Sequence, residues 1–170
     1  MDTLWAGWRS AYVADTEAGE EGCLFCRLPD RPDEEVFILE RADHCFSVLN
    51  VFPYTTGHLM VAPYRHLAMP GELSPQESAE LWRLVVGAQQ ACLQALRPQG
   101  FNLGANLGRQ AGAGIPDHFH FHVVPRWAGD TNFMTSLAMV RVMPESLPDT
   151  WAKLRRAVQF ANDGDPERGC

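Results

Sequence analysis

No apolar run in this chain approaches the ~20 residues of a membrane-spanning helix, which excludes that class of protein. Positive charge is also short: 14 Lys and Arg stand against 21 Asp and Glu, for a formal charge of -7. A general nucleic-acid binder shows a basic face, so that class is excluded as well. A small phosphorylated ligand is not, because a pocket needs only local positive potential. Met1-Asp2-Thr3-Leu4-Trp5 carries an acid where a secretory signal has basic residues, and the expected compartment is the cytoplasm. Five cysteines in 170 residues do not make a disulfide framework and read as thiols or a metal site. Internal repeats and linker-like stretches are missing too. What remains, at 46% hydrophobic and 21% charged residues, is one globular domain over residues 1–170 with room for its own core.

Against that plain background one stretch stands apart. His118-Phe119-His120-Phe121-His122-Val123-Val124 gathers three of the chain's six histidines into five residues. Alternate side chains share one face of a β-strand, so the three imidazoles project together and Phe119, Phe121 and Val123 point into a core. A helix would scatter them, and the Phe and Val content also favours a strand. One buried histidine is unremarkable, but three in register each need a polar partner, which marks a site.

The rest of the chain builds around this strand. An aromatic arm, residues 1–22, carries Trp5 and Trp8, which need a surface to pack on, either the domain or a second subunit. The core spans about 23–127. Its polar, proline-broken connection Leu28–Glu35 leads to three short strands, Val36–Leu39, Cys45–Leu49 and Leu59–Ala62, joined as an antiparallel meander. Ser74, Pro75 and Glu77 form a capping box that opens the clearest helix. Leu81, Val85, Ala88, Cys92 and Ala95 give it one apolar face, and Pro98-Gly100 stops it. Phe101–Ala105 reads as a fourth strand, and a glycine-rich loop from Gly104 to Gly114 leads to the histidine strand as the fifth. A second helix, Asp149–Ala161, carries Trp151, Leu154, Val158 and Phe160 within a C-terminal portion 128–170. The expected fold is α+β: a five-stranded antiparallel sheet with one long helix and a C-terminal helix.

A neutral imidazole, with its unperturbed pKa of about 6.5, is a competent nucleophile once its other ring nitrogen is fixed as a donor. Attack on phosphorus would form a phosphoramidate, which splits one displacement into two. Such chemistry wants a phosphate cradle, and Asn106 to Gly114 supplies glycines for close backbone approach and Arg109 for charge. Two other readings use the same residues: a metalloenzyme with an ion on His120 and His122, and a nucleotide-binding regulator without turnover. Cys23-Leu24-Phe25-Cys26 is a metal half-site, a redox pair or two core thiols, whereas Cys45 and Cys92 sit in apolar periodicity and read as core.

These residues resemble the histidine triad superfamily of nucleotidyl hydrolases and transferases, whose signature His-φ-His-φ-His-φ-φ (φ apolar) His118–Val124 matches at every position. The likeness runs over about residues 23–127, through Cys23-x-x-Cys26, Gly57-His58 and Pro125-Arg126. It implies His120 as nucleophile, His122 on the scissile phosphate, and His118 and His58 in support. It further implies Asn50 on the ribose hydroxyls, and Asn106 with Gly112 and Gly114 near the phosphates. No catalytic cofactor is implied. A closed structural zinc on Cys23, Cys26, His66 and His118 is implied, with His44 as the substitute for His66. Family members pair as homodimers through the long helix and an edge strand.

One departure matters. Where many members carry Gln, Ser or Thr before the first histidine, this chain has Gly114-Ile115-Pro116-Asp117. That string, with Pro125-Arg126-Trp127, Gly129–Phe133 and the Leu4-Trp5…Trp8-Arg9 opening, resembles a bacterial branch linked to diadenosine tetraphosphate phosphorylase activity. The expected substrate is therefore a dinucleoside polyphosphate or another nucleotide conjugate such as a nucleoside phosphoramidate. The missing side chain leaves space for orthophosphate, in place of water, as acceptor.

Overall fold

The computed structural model describes residues 22–130 and 144–163, with side chains described to residue 159. The aromatic arm with Trp5 and Trp8, the segment Thr131–Phe133 and the side chain of Phe160 lie outside the described residues. Within them a five-stranded sheet runs in the order β1-β2-β3-β5-β4. The strands are β1 (Ile38–Arg41), β2 (Cys45–Leu49), β3 (Leu59–Pro63), β4 (Gly100–Gly104) and β5 (Phe121–Arg126), and every pairing is antiparallel. The first three strands form the expected meander, while β5 enters between β3 and β4.

Several boundaries differ from the sequence expectation. Val36 closes a short helix, α2 (Asp33–Val36), because Phe37 takes a left-handed conformation at φ 61° and turns the chain, so β1 starts two residues later. The Leu28–Glu35 connection is thus partly helical, following α1 (Leu24–Arg27) and a 3-10 turn at Leu28–Asp30. The C-terminal helix, here α4, spans Leu147–Asp163, two residues longer at each end than its periodicity suggests.

The long helix, α3 (Pro75–Leu96), starts as the capping box requires. The Glu77 N–H donates to Ser74 Oγ at 3.1 Å and the Ser74 N–H donates to Glu77 Oε2 at 2.7 Å. It ends at Leu96 because Arg97, preceding Pro98, is disfavoured in the helical region and adopts φ 50°, ψ 52°. Leu81, Leu84, Val85, Ala88 and Cys92 are buried against one sheet face. Each of the larger side chains contributes about 1.5–3 kcal/mol there. α4 packs beside α3 and covers the β1 edge. Trp151 Nε1 donates to the Ile38 carbonyl at 2.9 Å, and the Arg155 guanidinium donates to the carbonyl of Leu39.

The opposite sheet face carries a smaller core of Phe25, Val36, Ile38, Phe46, Val48, Met60 and Ala62. Met60 on β3 pairs with His122 on β5, which puts the histidines on this face, away from the long helix.

Candidate active site

The alternation of the histidine stretch survives, but its hydrogen bonding is not that of one continuous strand. β5 begins only at Phe121. His118 to His120 lie outside the strand, held by the Phe119 N–H donating to the Leu67 carbonyl at 2.6 Å. The β3–β5 register stops at the Val61–Phe121 pair, although β3 itself runs on to Pro63 in its pairing with β2. Phe119, Phe121 and Val123 still face the α3 core. His118, His120 and His122 are all buried.

Backbone carbonyls and amides dictate the tautomers. His120 Nδ1 lies 2.8 Å from the His118 carbonyl. A carbonyl only accepts, so Nδ1 holds the proton and Nε2 keeps the lone pair. His58, fully buried, accepts at Nδ1 from the Tyr54 N–H at 3.1 Å. Its proton is therefore on Nε2, which donates to His122 Nδ1 at 2.9 Å. His122 is left with an Nε2–H donor. The His120 and His122 rings meet edge to face at 5.0 Å. Side by side they present a nitrogen lone pair and a hydrogen-bond donor, a pair suited to attack on phosphorus with the donor on one of its oxygens. Burial holds the His120 imidazole below its ordinary 6.5, partly opposed by its bond to the His118 carbonyl, which keeps it neutral and able to attack.

His118 does something different. Its Nε2–H donates to the Pro63 carbonyl at 2.9 Å, so the Nδ1 lone pair faces outward. Cys23 Sγ lies 3.2 Å from that nitrogen and Cys26 Sγ 3.5 Å, while His66 Nδ1 is 3.4 Å from Cys26 Sγ. All four ligand atoms fall within 4.8 Å of one another. Tetrahedral zinc places S and N ligands about 3.5 Å apart, so these residues fit such an ion. Desolvation, then the neighbouring Cys23, pushes the Cys26 thiol up to about 11, and a bound cation would reverse that. His44 is not part of the group, and neither are His120 and His122.

A cleft of about 840 Å³ opens beside His122. Tyr54, Asn106, Asn102, Arg126 and Trp127 are among its walls, whereas Asn50, Gly112 and Gly114 are not. Asn50 is buried and turned inward: its Oδ1 accepts from the Phe52 N–H at 2.9 Å, and its Nδ2 is 3.4 Å from His58 Nδ1. Gly112 ends a 3-10 turn, Arg109–Ala111, at φ 87°, a position where its lack of a side chain is used.

Three participants were not singled out by the sequence. Phe25, between the two cysteines, lays its ring 4.7 Å from His120 and 5.3 Å from His118. Tyr54 contributes a backbone N–H, and its ring lies 4.5 Å from His58. Pro63 contributes only a carbonyl. Spacing could hint at Phe25 through the CxxC, but nothing local identifies the other two.

Comparison with known proteins identifies related chains. A protein from Mycobacterium tuberculosis described as AP-4-A phosphorylase is 38% identical over 157 residues, 88% of this chain and 80% of its own. The adenosine 5'-monophosphoramidase hnt1 of Schizosaccharomyces pombe is 32% identical over 104 residues, 61% of this chain and 74% of its own. Among solved structures, a Zn-bound histidine triad family protein from Mycobacterium smegmatis superposes with a TM-score of 0.69 at 23% identity, covering 86% of this chain and 100% of that one. The HIT domain profile matches residues 31–129. With the histidine stretch, the sheet order and the profile all in agreement, the chain belongs to the HIT domain family.

Proposed function

We propose that the protein is a nucleotidyl-transfer enzyme that cleaves a dinucleoside polyphosphate at the α-phosphate through a covalent intermediate on His120. The observation that supports this most directly is the pair of tautomers: an Nε2 lone pair on His120 beside an Nε2–H on His122. His120 Nε2 attacks the α-phosphorus, and an N–P bond forms. The P–O bond to the polyphosphate breaks, and its electron pair leaves with that oxygen. His122 donates to a phosphoryl oxygen as charge builds there. An acceptor oxygen then attacks the same phosphorus, and the N–P pair returns to His120.

For diadenosine tetraphosphate the leaving group is ATP. The second product is ADP when orthophosphate is the acceptor and AMP when water is. The similarity to an AP-4-A phosphorylase and the short Gly114 side of the loop favour orthophosphate. Asn50 has a remaining lone pair and amide hydrogen for the ribose hydroxyls. Asn106, with the backbone around Gly112 and Gly114, serves the phosphates. Cys23, Cys26, His66 and His118 would hold a structural zinc, tying α1 to the segment that leads into β5 and supplying no step of the reaction. The exposed Trp82 of α3 suits a homodimer contact, which mass in solution would test.

Incubation with diadenosine tetraphosphate, with and without orthophosphate, tests the reading. ADP and ATP formed only with phosphate is the expected result, and His120→Asn abolishes it while nucleotide binding persists. Turnover unchanged in His120→Asn would overturn covalent catalysis. The similarity to a monophosphoramidase supports a second reading, hydrolysis of nucleoside phosphoramidates, through the same nucleophile.

A further inference from the structure

We propose that the cleft beside His122 binds the departing nucleoside, so that the site holds both halves of a dinucleotide. The inference rests on the nucleotidyl-transfer reading above. Displacement at phosphorus is in line, with the nucleophile and the leaving oxygen on opposite sides. His120 is the attacking group and is absent from the cleft wall, whereas His122, the next residue on the same face, forms part of it. From His122 the cleft runs on along β5 past Val124 to Arg126 and across β4 at Asn102. It therefore lies on the side of the phosphate away from the nucleophile, where the leaving chain must go.

The chemistry of the walls suits an uncharged nucleoside better than more phosphate. Arg126, the wall's cation, is held by Asp130 at 2.5 and 2.9 Å and donates to Asn102 Oδ1 at 2.5 Å. Glu145, at the rim, is paired with Lys153 at 2.5 Å. No net positive field is left to hold a polyphosphate tail. Trp127 supplies a flat aromatic face, and Leu96 and Val124 supply apolar contact. Asn106 shares the wall with His122 and follows by two residues the Gly104 that pairs with it, a place suited to the phosphates before the nucleoside begins. At about 840 Å³ the cleft is within the ordinary ~300–1,000 Å³ range of small-molecule sites.

Ala128→Trp and Trp127→Leu test this with two substrates. Ala128 is an exposed wall residue, so a larger side chain fills the cleft without disturbing a core. Diadenosine tetraphosphate reaches the cleft, whereas the amine leaving group of adenosine 5'-phosphoramidate is too small to do so. Both variants should lower kcat/KM for the dinucleotide at least tenfold more than for the phosphoramidate, chiefly through KM. ATP should also become a weaker product inhibitor. Equal losses on both substrates, or none, with active wild-type enzyme would overturn the assignment and leave the nucleotidyl-transfer reading intact. A change in oligomeric state with parallel losses would point to a subunit contact and also overturn it. Wild-type protein inert toward both substrates would remove the parent reading and this inference together.

Discussion

His58→Phe keeps the ring volume and removes two directed interactions at once. His58 is fully buried, so nothing from solvent replaces them. The Tyr54 N–H loses its acceptor at 3.1 Å, and His122 Nδ1 loses its donor at 2.9 Å. Each orphaned polar group costs about 1–3 kcal/mol, so the substitution should destabilise the protein by roughly 2–5 kcal/mol. At about 2–4 °C per kcal/mol for a domain of this size, the Tm falls by roughly 4–20 °C. The functional effect is larger than the loss of folded protein. Without the His58 donor, His122 can move its proton to Nδ1 and no longer offers Nε2–H to the phosphate. Losing one such donor typically costs about 10²–10³ in rate. Steady-state kinetics below the Tm give the rate, and ¹⁵N shifts of the imidazoles report the His122 tautomer directly. Near wild-type kcat with His122 still protonated at Nε2 would refute the chain of tautomers.

Three further outcomes follow from other contacts. Cys26→Ser removes one of the four clustered ligands, so bound zinc falls from about one per chain toward none and the Tm drops; an unchanged Tm and no zinc in the parent protein would make the cysteines simple thiols. Glu77, held down at about 2 by Arg65 first and the Ser74 N–H second, contributes stability above about pH 4.5 that is lost as pH falls through 2. Arg65 is half exposed, so solvent screening limits this to about 1 kcal/mol, and Glu77→Gln should flatten the acid limb of the stability curve by that amount. Gly57 sits at φ 75°, and a Cβ there would meet Leu96 Cδ1, so Gly57→Ala should cost roughly 1–3 kcal/mol in denaturant unfolding; an unaffected midpoint would contradict the packing.

Much of the site is local and so was legible. The period of two in His118–Val124 is a property of the chain itself, and it determined which side chains share a face even where the ladder stops. The Ser74–Glu77 capping box needs only three residues of separation, and it marked the start of α3. Composition, by its shortage of basic residues, argued against a general nucleic-acid binder. His66, 40 residues from Cys26, was reached only through family resemblance, with His44 as its substitute.

Tertiary structure decided the rest, because the deciding partners are backbone groups or distant residues. The His120 proton is placed by a carbonyl two residues away, and that carbonyl's direction depends on His118 leaving the ladder. The His122 proton is set by His58, 64 residues away, which is itself set by the Tyr54 amide. Asn50 was reached through the family resemblance, and only the fold shows that its amide also accepts from the Phe52 N–H and approaches His58. The cleft beside His122 joins β4, β5 and the end of α3, and no one-dimensional pattern records where three elements meet. A sequence names which chemical groups exist and which neighbours share a face; the direction of a carbonyl, and so the position of a proton, exists only once the chain has folded.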